Sequence, residues 1–260
     1  TSSRSDRMAR KKDILFGRQP VLEALGGDAS LEKVMLRKGA GGPAIDDIKA
    51  RCRERGVPYQ TVPNDALNRV LNSVYHGQRV NHQGIVAFWS AIRYHDLDDI
   101  HHQVLERGEH PAYVLLDGVT DVRNVGAIAR SALGLGAHAL IVPFHGSARI
   151  HADAVKTSAG ALHRLPVCRF PTTRDAVDFL TLRGVRIVVA DGGGSELVRS
   201  LDLTLPVCLV LGDEGRGVSP EVLDIADDVV RLPMAGELES YNVSVSCAMA
   251  LYELHRQRTA

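Results

Sequence analysis

The chain has 260 residues, 45% of them hydrophobic and 24% charged, with a formal net charge of zero. That length holds one large or two modest domains, and the neutral balance excludes a generic polycation that binds by bulk charge. No apolar run approaches the roughly 18 residues of a membrane-crossing helix, and the polar start, Thr1 to Lys12, lacks the apolar stretch of a secretory signal.

Residues 1–12 carry Arg4, Arg7, Arg10, Lys11 and Lys12 against Asp6. This reads as a basic tail over residues 1–13, either tracking phosphates or simply solvated. From Ile14 to about residue 90 a small α/β unit is expected. Phe16-Gly17 leads into an amphipathic helix with Val21, Leu22 and Leu25 on one face. Lys33–Leu36, Val57–Val62 and Ile85–Trp89 read as strands. Ile45 to Arg55 reads as a charged helix stopped by Gly56. Residues 91–110, with Asp96, Asp98, Asp99, His101 and His102, read as a linker with room for a short helix.

A second region spans 111–260. Its strand-like runs are Tyr113–Leu116, Ala139–Val142, Arg186–Ala190, Val207–Leu211 and Val229–Leu232, with helical patterns between most of them. Alternation of this kind predicts an α/β fold with a mostly parallel sheet covered on both faces. Such sheets bind ligands at the carboxyl ends of their strands, so the loops after Leu116, Ala190, Leu211 and Leu232 are the candidates. The last helix, about Tyr241 to Gln257, carries two apolar sets: Val245, Ala248, Met249 and Tyr252, then Cys247, Ala250, Leu251 and Leu254. A surface this wide fits the sheet on one side and a partner subunit on the other, or a single deep core.

Several chemistries lack their signatures. There is no GxxxxGK[ST], no GxGxxG after a first strand and no GxSxG. The four cysteines, Cys52, Cys168, Cys208 and Cys247, form no CxxC pair and the histidines no HExxH, so neither metal nor disulfide is expected and a reduced cytoplasm is the expected setting.

Three segments stand out. Leu116-Asp-Gly-Val-Thr-Asp-Val-Arg-Asn-Val-Gly-Ala-Ile-Ala-Arg-Ser131 is a strand end, a polar turn and a helix start, with Asn124 as the expected N-cap. Arg123 and Arg130 near that helix start suit an anionic phosphate. Leu209-Val-Leu-Gly-Asp-Glu-Gly-Arg-Gly-Val218 runs a buried strand into three glycines and two carboxylates, Asp213 and Glu214. Glycines there let backbone approach a ligand closely. Leu232-Pro-Met-Ala-Gly-Glu-Leu-Glu-Ser-Tyr-Asn-Val-Ser-Val-Ser246 ends a strand in an irregular loop and opens a helix, with Ser240 as expected cap and Asn242 in the first turn. Each alone is equally a turn or a capped helix.

Together and in this order, the three segments resemble the signature motifs of the SpoU (TrmH-like) branch of the SPOUT RNA methyltransferases. Lys156-Thr-Ser-Ala-Gly-Ala161 adds a fourth similar patch. The resemblance covers residues 111–260. Phe16-Gly17 with Val21-Leu-Glu-Ala-Leu25, and His82-Gln-Gly-Ile-Val86, more weakly resemble the L30e-like RNA substrate-recognition domain of bacterial 23S rRNA guanosine-2′-O-methyltransferases. Asp121-Val122 stands where the family has Asp-Pro, and Tyr241 where it has Leu.

The resemblance implies a C-terminal trefoil knot whose loops hold S-adenosylmethionine in a bent form, and a homodimer. By position, Gly212, Leu232, Met234 and Tyr241 would surround the cofactor, with Asp191 and Gly192 to Gly194 on the remaining loop. Arg130 matches the family's essential arginine. Because arginine stays protonated, it is expected to bind the target phosphate and stabilise developing alkoxide charge rather than act as base. Asn124, Glu214, Ser240 and Asn242 would position the nucleotide or relay its proton. The implied reaction is methylation of a ribose 2′-OH in 23S rRNA. The alternatives are a tRNA ribose methyltransferase, an antibiotic-resistance rRNA methyltransferase, and a non-catalytic RNA-binding assembly protein.

Overall fold

The computed structural model describes residues 14–27, 30–76, 78, 80–144, 146–148, 150, 152–235 and 240–259. The basic tail and residues 236–239 of the third motif lie outside the described residues. The described residues form two compact units that divide after Ala91.

The first unit contains β1 (Ile14–Phe16), α1 (Arg18–Gly26), β2 (Leu31–Arg37), α2 (Pro43–Glu54), β3 (Tyr59–Val62), α3 (Asn64–Tyr75) and β4 (Ile85–Trp89). Its sheet has the order β1-β4-β2-β3. β4 runs antiparallel to β1 and β2, and β2 runs parallel to β3. Alternation along β2 builds two cores. Val34 and Leu36 pack with Val21, Leu25, Ile45, Ile48 and Cys52, while Met35 packs with Leu67 and Leu71 on the other face. The second core needs α3, a helix the sequence reading lacked although Leu67, Leu71 and Val74 form its buried stripe.

The second unit contains β5 (Tyr94–His95), α4 (Leu97–Glu106), β6 (Ala112–Asp117), α5 (Val122–Gly134), β7 (Ala139–Pro143), α6 (Ala152–Thr157), β8 (Val167–Phe170), α7 (Thr173–Thr181), β9 (Arg186–Ala190), β10 (Glu196–Leu197), β11 (Val207–Gly212), α8 (Pro220–Leu223), β12 (Asp228–Arg231) and α9 (Val243–Thr259). Its sheet has eight strands in the order β10-β12-β9-β11-β6-β7-β8-β5. Every neighbouring pair is parallel. Both faces are covered. Ala112, Val114 and Leu116 of β6 face α5 and α9, and Tyr113 and Leu115 face α4 and α7. Strands buried on both faces read as continuous apolar runs, which is why β6, β7, β9 and β11 stood out in the sequence.

The expected linker is built into this unit. Tyr94–His95 pairs with β8, and Leu97, Ile100, His101 and Val104 of α4 are buried. Asp96 caps α4 by accepting the Asp98 N–H at 2.9 Å. His101 Nδ1 lies 3.1 Å from the Tyr113 hydroxyl, and Arg183 donates to Asp98. The stretch looked polar because its acidic and histidine side chains serve as cap, ion pair and buried hydrogen bond.

Strand order creates the site. β7 and β8 step away from β6 on one side, β9 begins on the other, and β11 inserts between β6 and β9. The loops after β9, β11 and β12 and the start of α5 therefore gather at the carboxyl ends of neighbouring strands, the usual ligand position in such sheets. Among the described residues no helix is long and apolar enough to cross a membrane.

Candidate active site

The N-terminus of α5 is set by Asp121, not by Asn124 as the sequence reading had it. Asp121 is extended, and its carboxylate accepts the Arg123 N–H at 2.8 Å. The Arg123 guanidinium pairs with the same carboxylate at 2.9 Å. This pairing holds the Asp121 carboxyl below, and the Arg123 guanidinium above, their ordinary ranges. With capping done by Asp121, the Asn124 side chain is released for another use. Two residues on, a Cβ at Gly126 would lie 2.7 Å from the Ala154 carbonyl oxygen and 2.8 Å from Thr157 Cβ. Glycine there lets α6 and the Lys156–Ala161 turn press against α5.

The loop after β11 folds back on itself. Asp213 and Gly217 exchange backbone hydrogen bonds at 3.1 and 2.9 Å, and a Cβ on Gly212 would fall 2.1 Å from the Gly217 carbonyl carbon. Asp213 Oδ1 accepts the N–H groups of Gly215 and Arg216 at 2.9 and 3.1 Å. The return leg is anchored by Asp117, a buried residue that the sequence reading passed over. Its Oδ1 accepts from Thr173 Oγ1 at 2.7 Å and its Oδ2 from the Ser219 N–H at 2.7 Å. The signal was available: a carboxylate closing an otherwise apolar strand.

At the start of α9 the capping bond also differs from expectation. Asn242 Oδ1, rather than Ser240, accepts the Ser244 N–H, at 2.9 Å. An asparagine directly before the first helical residue reaches that amide, whereas Ser240 sits a further two residues out.

The three segments meet through these side chains. Asn124 Nδ2 donates to Glu214 Oε1 at 2.8 Å. Asn242 Nδ2 donates to the same oxygen and to Asn124 Oδ1, the latter at 3.2 Å. Asn124 is 90 residues from Glu214 and 118 from Asn242 in sequence, yet the three close a ring. Arg130 does not join it. It is exposed and, among the described residues, has no hydrogen-bond or ion-pair partner. Seven residues after Arg123, it lies on the same face of α5, roughly 10 Å further along.

Beside the ring lies a cleft of about 410 Å³ formed by the loops after β9, β11 and β12. Gly212, Leu232, Met234 and Tyr241 all line it, as do Ser240, Glu214 and Asp191. The Tyr241 hydroxyl donates to the Pro233 carbonyl at 3.1 Å, tying the two ends of the third segment. Asp191 Oδ1 accepts the Gly193 N–H at 2.9 Å. Gly192, Gly193, Gly212 and Gly217 line it as bare backbone, and Gly212 has no room for a side chain. A volume in the range of small-ligand pockets, with backbone, a carboxylate and apolar side chains together, fits a nucleoside carrying an amino-acid arm. Thiolate chemistry has no candidate. All four cysteines are buried, and burial pushes Cys52 up to about 11 and Cys168 up to about 12.

Comparison with known proteins agrees with this geometry. Residues 111–252 match the SpoU rRNA Methylase family, and residues 14–95 match the RNA 2′-O ribose methyltransferase substrate binding family. The 23S rRNA (guanosine-2′-O-)-methyltransferase RlmB of Xylella fastidiosa is 34% identical, over 97% of this chain and 99% of that protein. An uncharacterized tRNA/rRNA methyltransferase of Mycobacterium ulcerans is 36% identical, over 95% of this chain and 77% of its own. The crystal structure of the SpoU methyltransferase AviRb from Streptomyces viridochromogenes, in complex with the cofactor AdoMet, superposes with a TM-score of 0.60 at 26% identity, covering 99% of this chain and 95% of that one. The chain belongs to the SpoU rRNA methylase family, the S-adenosylmethionine-dependent RNA 2′-O-methyltransferases.

Proposed function

We propose that this protein methylates the ribose 2′-oxygen of a guanosine in 23S rRNA, working in the cytoplasm as a homodimer with a knotted C-terminal region. The observation that carries the reading is the Asn124–Glu214–Asn242 ring at the edge of the 410 Å³ cleft. The guanosine and the rRNA are supported by the likeness to the Xylella protein. The dimer is supported by α9. Its Cys247, Ala250, Leu251 and Leu254 are buried against the unit's own core, while Val245 and Tyr252 on the other face are 45% and 60% exposed. The knot is supported by β11 lying between two earlier strands while α9 packs along α5.

S-adenosylmethionine, held by Gly212, Leu232, Met234 and Tyr241, supplies an electrophilic methyl on a sulfonium. The chain's own residues must bring the 2′-OH to it and stabilise its oxygen as the proton leaves. Glu214, fixed by two carboxamides, holds one position for the nucleotide, with Ser240 in the wall of the same cleft. Arg130, exposed and unpartnered among the described residues, takes the target phosphate and stabilises the developing alkoxide. Labelled methyl from S-adenosylmethionine should enter 23S rRNA in preference to tRNA. Label in tRNA alone moves the substrate and keeps the chemistry. Arg130→Lys should lose at least tenfold in kcat/KM, because an ammonium lacks the planar fork of guanidinium; full turnover in that variant would end the role given to Arg130.

A further inference from the structure

The first unit carries an open groove of about 600 Å³ that the methyl-transfer site does not use. It lies where the starts of α1 and α3, the end of β2 and the turn before β4 meet. Arg18, Arg37, Asn64, Asn81, His82 and Gln83 line it, and no carboxylate is among its described lining residues.

Its floor is a strained turn. Gln83 has φ +51° and Gly84 φ +80°. A side chain held in the left-handed region costs roughly 1–2 kcal/mol, and such strain collects at functional sites. The turn is over-determined by hydrogen bonds. Gln83 Oε1 accepts the Arg18 N–H at 3.0 Å, Asn81 Oδ1 accepts the Gln83 N–H at 3.2 Å, and Gly84 O accepts the Arg37 N–H at 2.8 Å. His82 Nδ1 accepts the Gly84 N–H at 3.0 Å, which leaves the ring proton on Nε2. Burial and the nearby Arg37 lower the His82 pKa, so the ring is a neutral donor at pH 7. The Arg37 guanidinium is exposed and has no hydrogen-bond or ion-pair partner among the described residues.

We propose that this groove binds one unpaired ribonucleotide of the RNA substrate, its phosphate on Arg18 and Arg37 and its base edge on Asn64, Asn81 and His82. The inference rests on the reading of the protein as an RNA methyltransferase. Arg18 gives its Nε to the Gln83 carbonyl at 3.4 Å; with no carboxylate in the described lining, its remaining donors and the Arg37 guanidinium suit phosphate. Amide and imidazole donors set in a groove reach a base edge only when the base is splayed out, as in RNA loops and bulges. Val80 is the sole large apolar residue in the described lining, too little to anchor a protein partner.

The full-length protein would be titrated against a labelled single-stranded RNA 12-mer at several salt concentrations. Arg37→Ala should weaken binding about tenfold and flatten the slope of log K against log salt by about 0.7 for the lost phosphate contact. Asn64→Ala should weaken binding about fivefold with the slope unchanged. Affinity for S-adenosylmethionine should stay at the wild-type value in both, which separates a groove effect from misfolding. Wild-type affinity and slope in Arg37→Ala would overturn the proposal, as would Arg37-dependent preference for a blunt duplex of the same sequence. If the wild type methylates no RNA yet binds the 12-mer through Arg37, the catalytic reading falls and the groove stands.

Discussion

Two carboxamides on one carboxylate oxygen leave Glu214 little freedom, and that rigidity is the site's main asset at the scale of single residues. A reacting group displaced by about 1 Å loses on the order of 10²-fold in rate. Asn124→Ala should therefore lower kcat about 10²-fold in a single-turnover methylation assay. Its affinity for S-adenosylmethionine should change less than about twofold, since Asn124 does not line the cleft. Gly126→Ala should act on stability instead. Its Cβ would meet the Ala154 carbonyl oxygen at 2.7 Å, and overpacking of this kind costs about 1–3 kcal/mol. A drop in melting temperature of roughly 2–12 °C should follow; an unchanged melt would show that α6 can shift away freely. At this scale the resemblance singled out Asn124, Glu214 and Asn242, but their joining in one hydrogen-bonded ring was not legible in the sequence. Local rules chose Asn124 and Ser240 as caps. The caps are supplied by Asp121 and Asn242, because capping depends on which side chain the tertiary fold leaves free to turn back.

At the scale of elements, α4 and α9 teach opposite lessons. α4 read as a linker because its polar residues hid an apolar stripe of Leu97, Ile100 and Val104. Its His101 is buried against Tyr113, and burial lowers its pKa; His82 and His95 are lowered for the same leading reason. The unfolded chain then takes up protons on these rings near the ordinary histidine pKa of about 6.5 while the folded chain resists. Their contribution to stability is present above that pH and is lost as pH falls below it. The melting temperature should decline from pH 7 to pH 5, and His101→Gln should flatten the decline; a rise on acidification would contradict the account. α9 was read as two-sided, and the structure buries one side while leaving Val245 and Tyr252 exposed. Val245→Glu with Tyr252→Glu should convert a sedimenting dimer to monomer at micromolar concentration with the fold retained. A wild type that sediments as a monomer would remove the dimer from the proposal.

At the scale of the whole molecule, the parallel α/β class followed from apolar runs alternating with helical patterns, and β6, β7, β9 and β11 appear within a residue or two of their expected bounds. Strand order was not legible. Nothing local in Val207–Gly212 says that it will insert between β6 and β9, because parallel pairing is decided by long crossovers and burial on both faces. That insertion is what brings Glu214 to Asn124 across 90 residues. The most direct test asks where the methyl goes. After transfer of labelled methyl to 23S rRNA, the RNA is hydrolysed in alkali, which cannot cleave next to a methylated 2′-oxygen. The account predicts label in alkali-resistant dinucleotides carrying guanosine, lost in Arg130→Ala. Label released with mononucleotides would place the methyl on a base and contradict it.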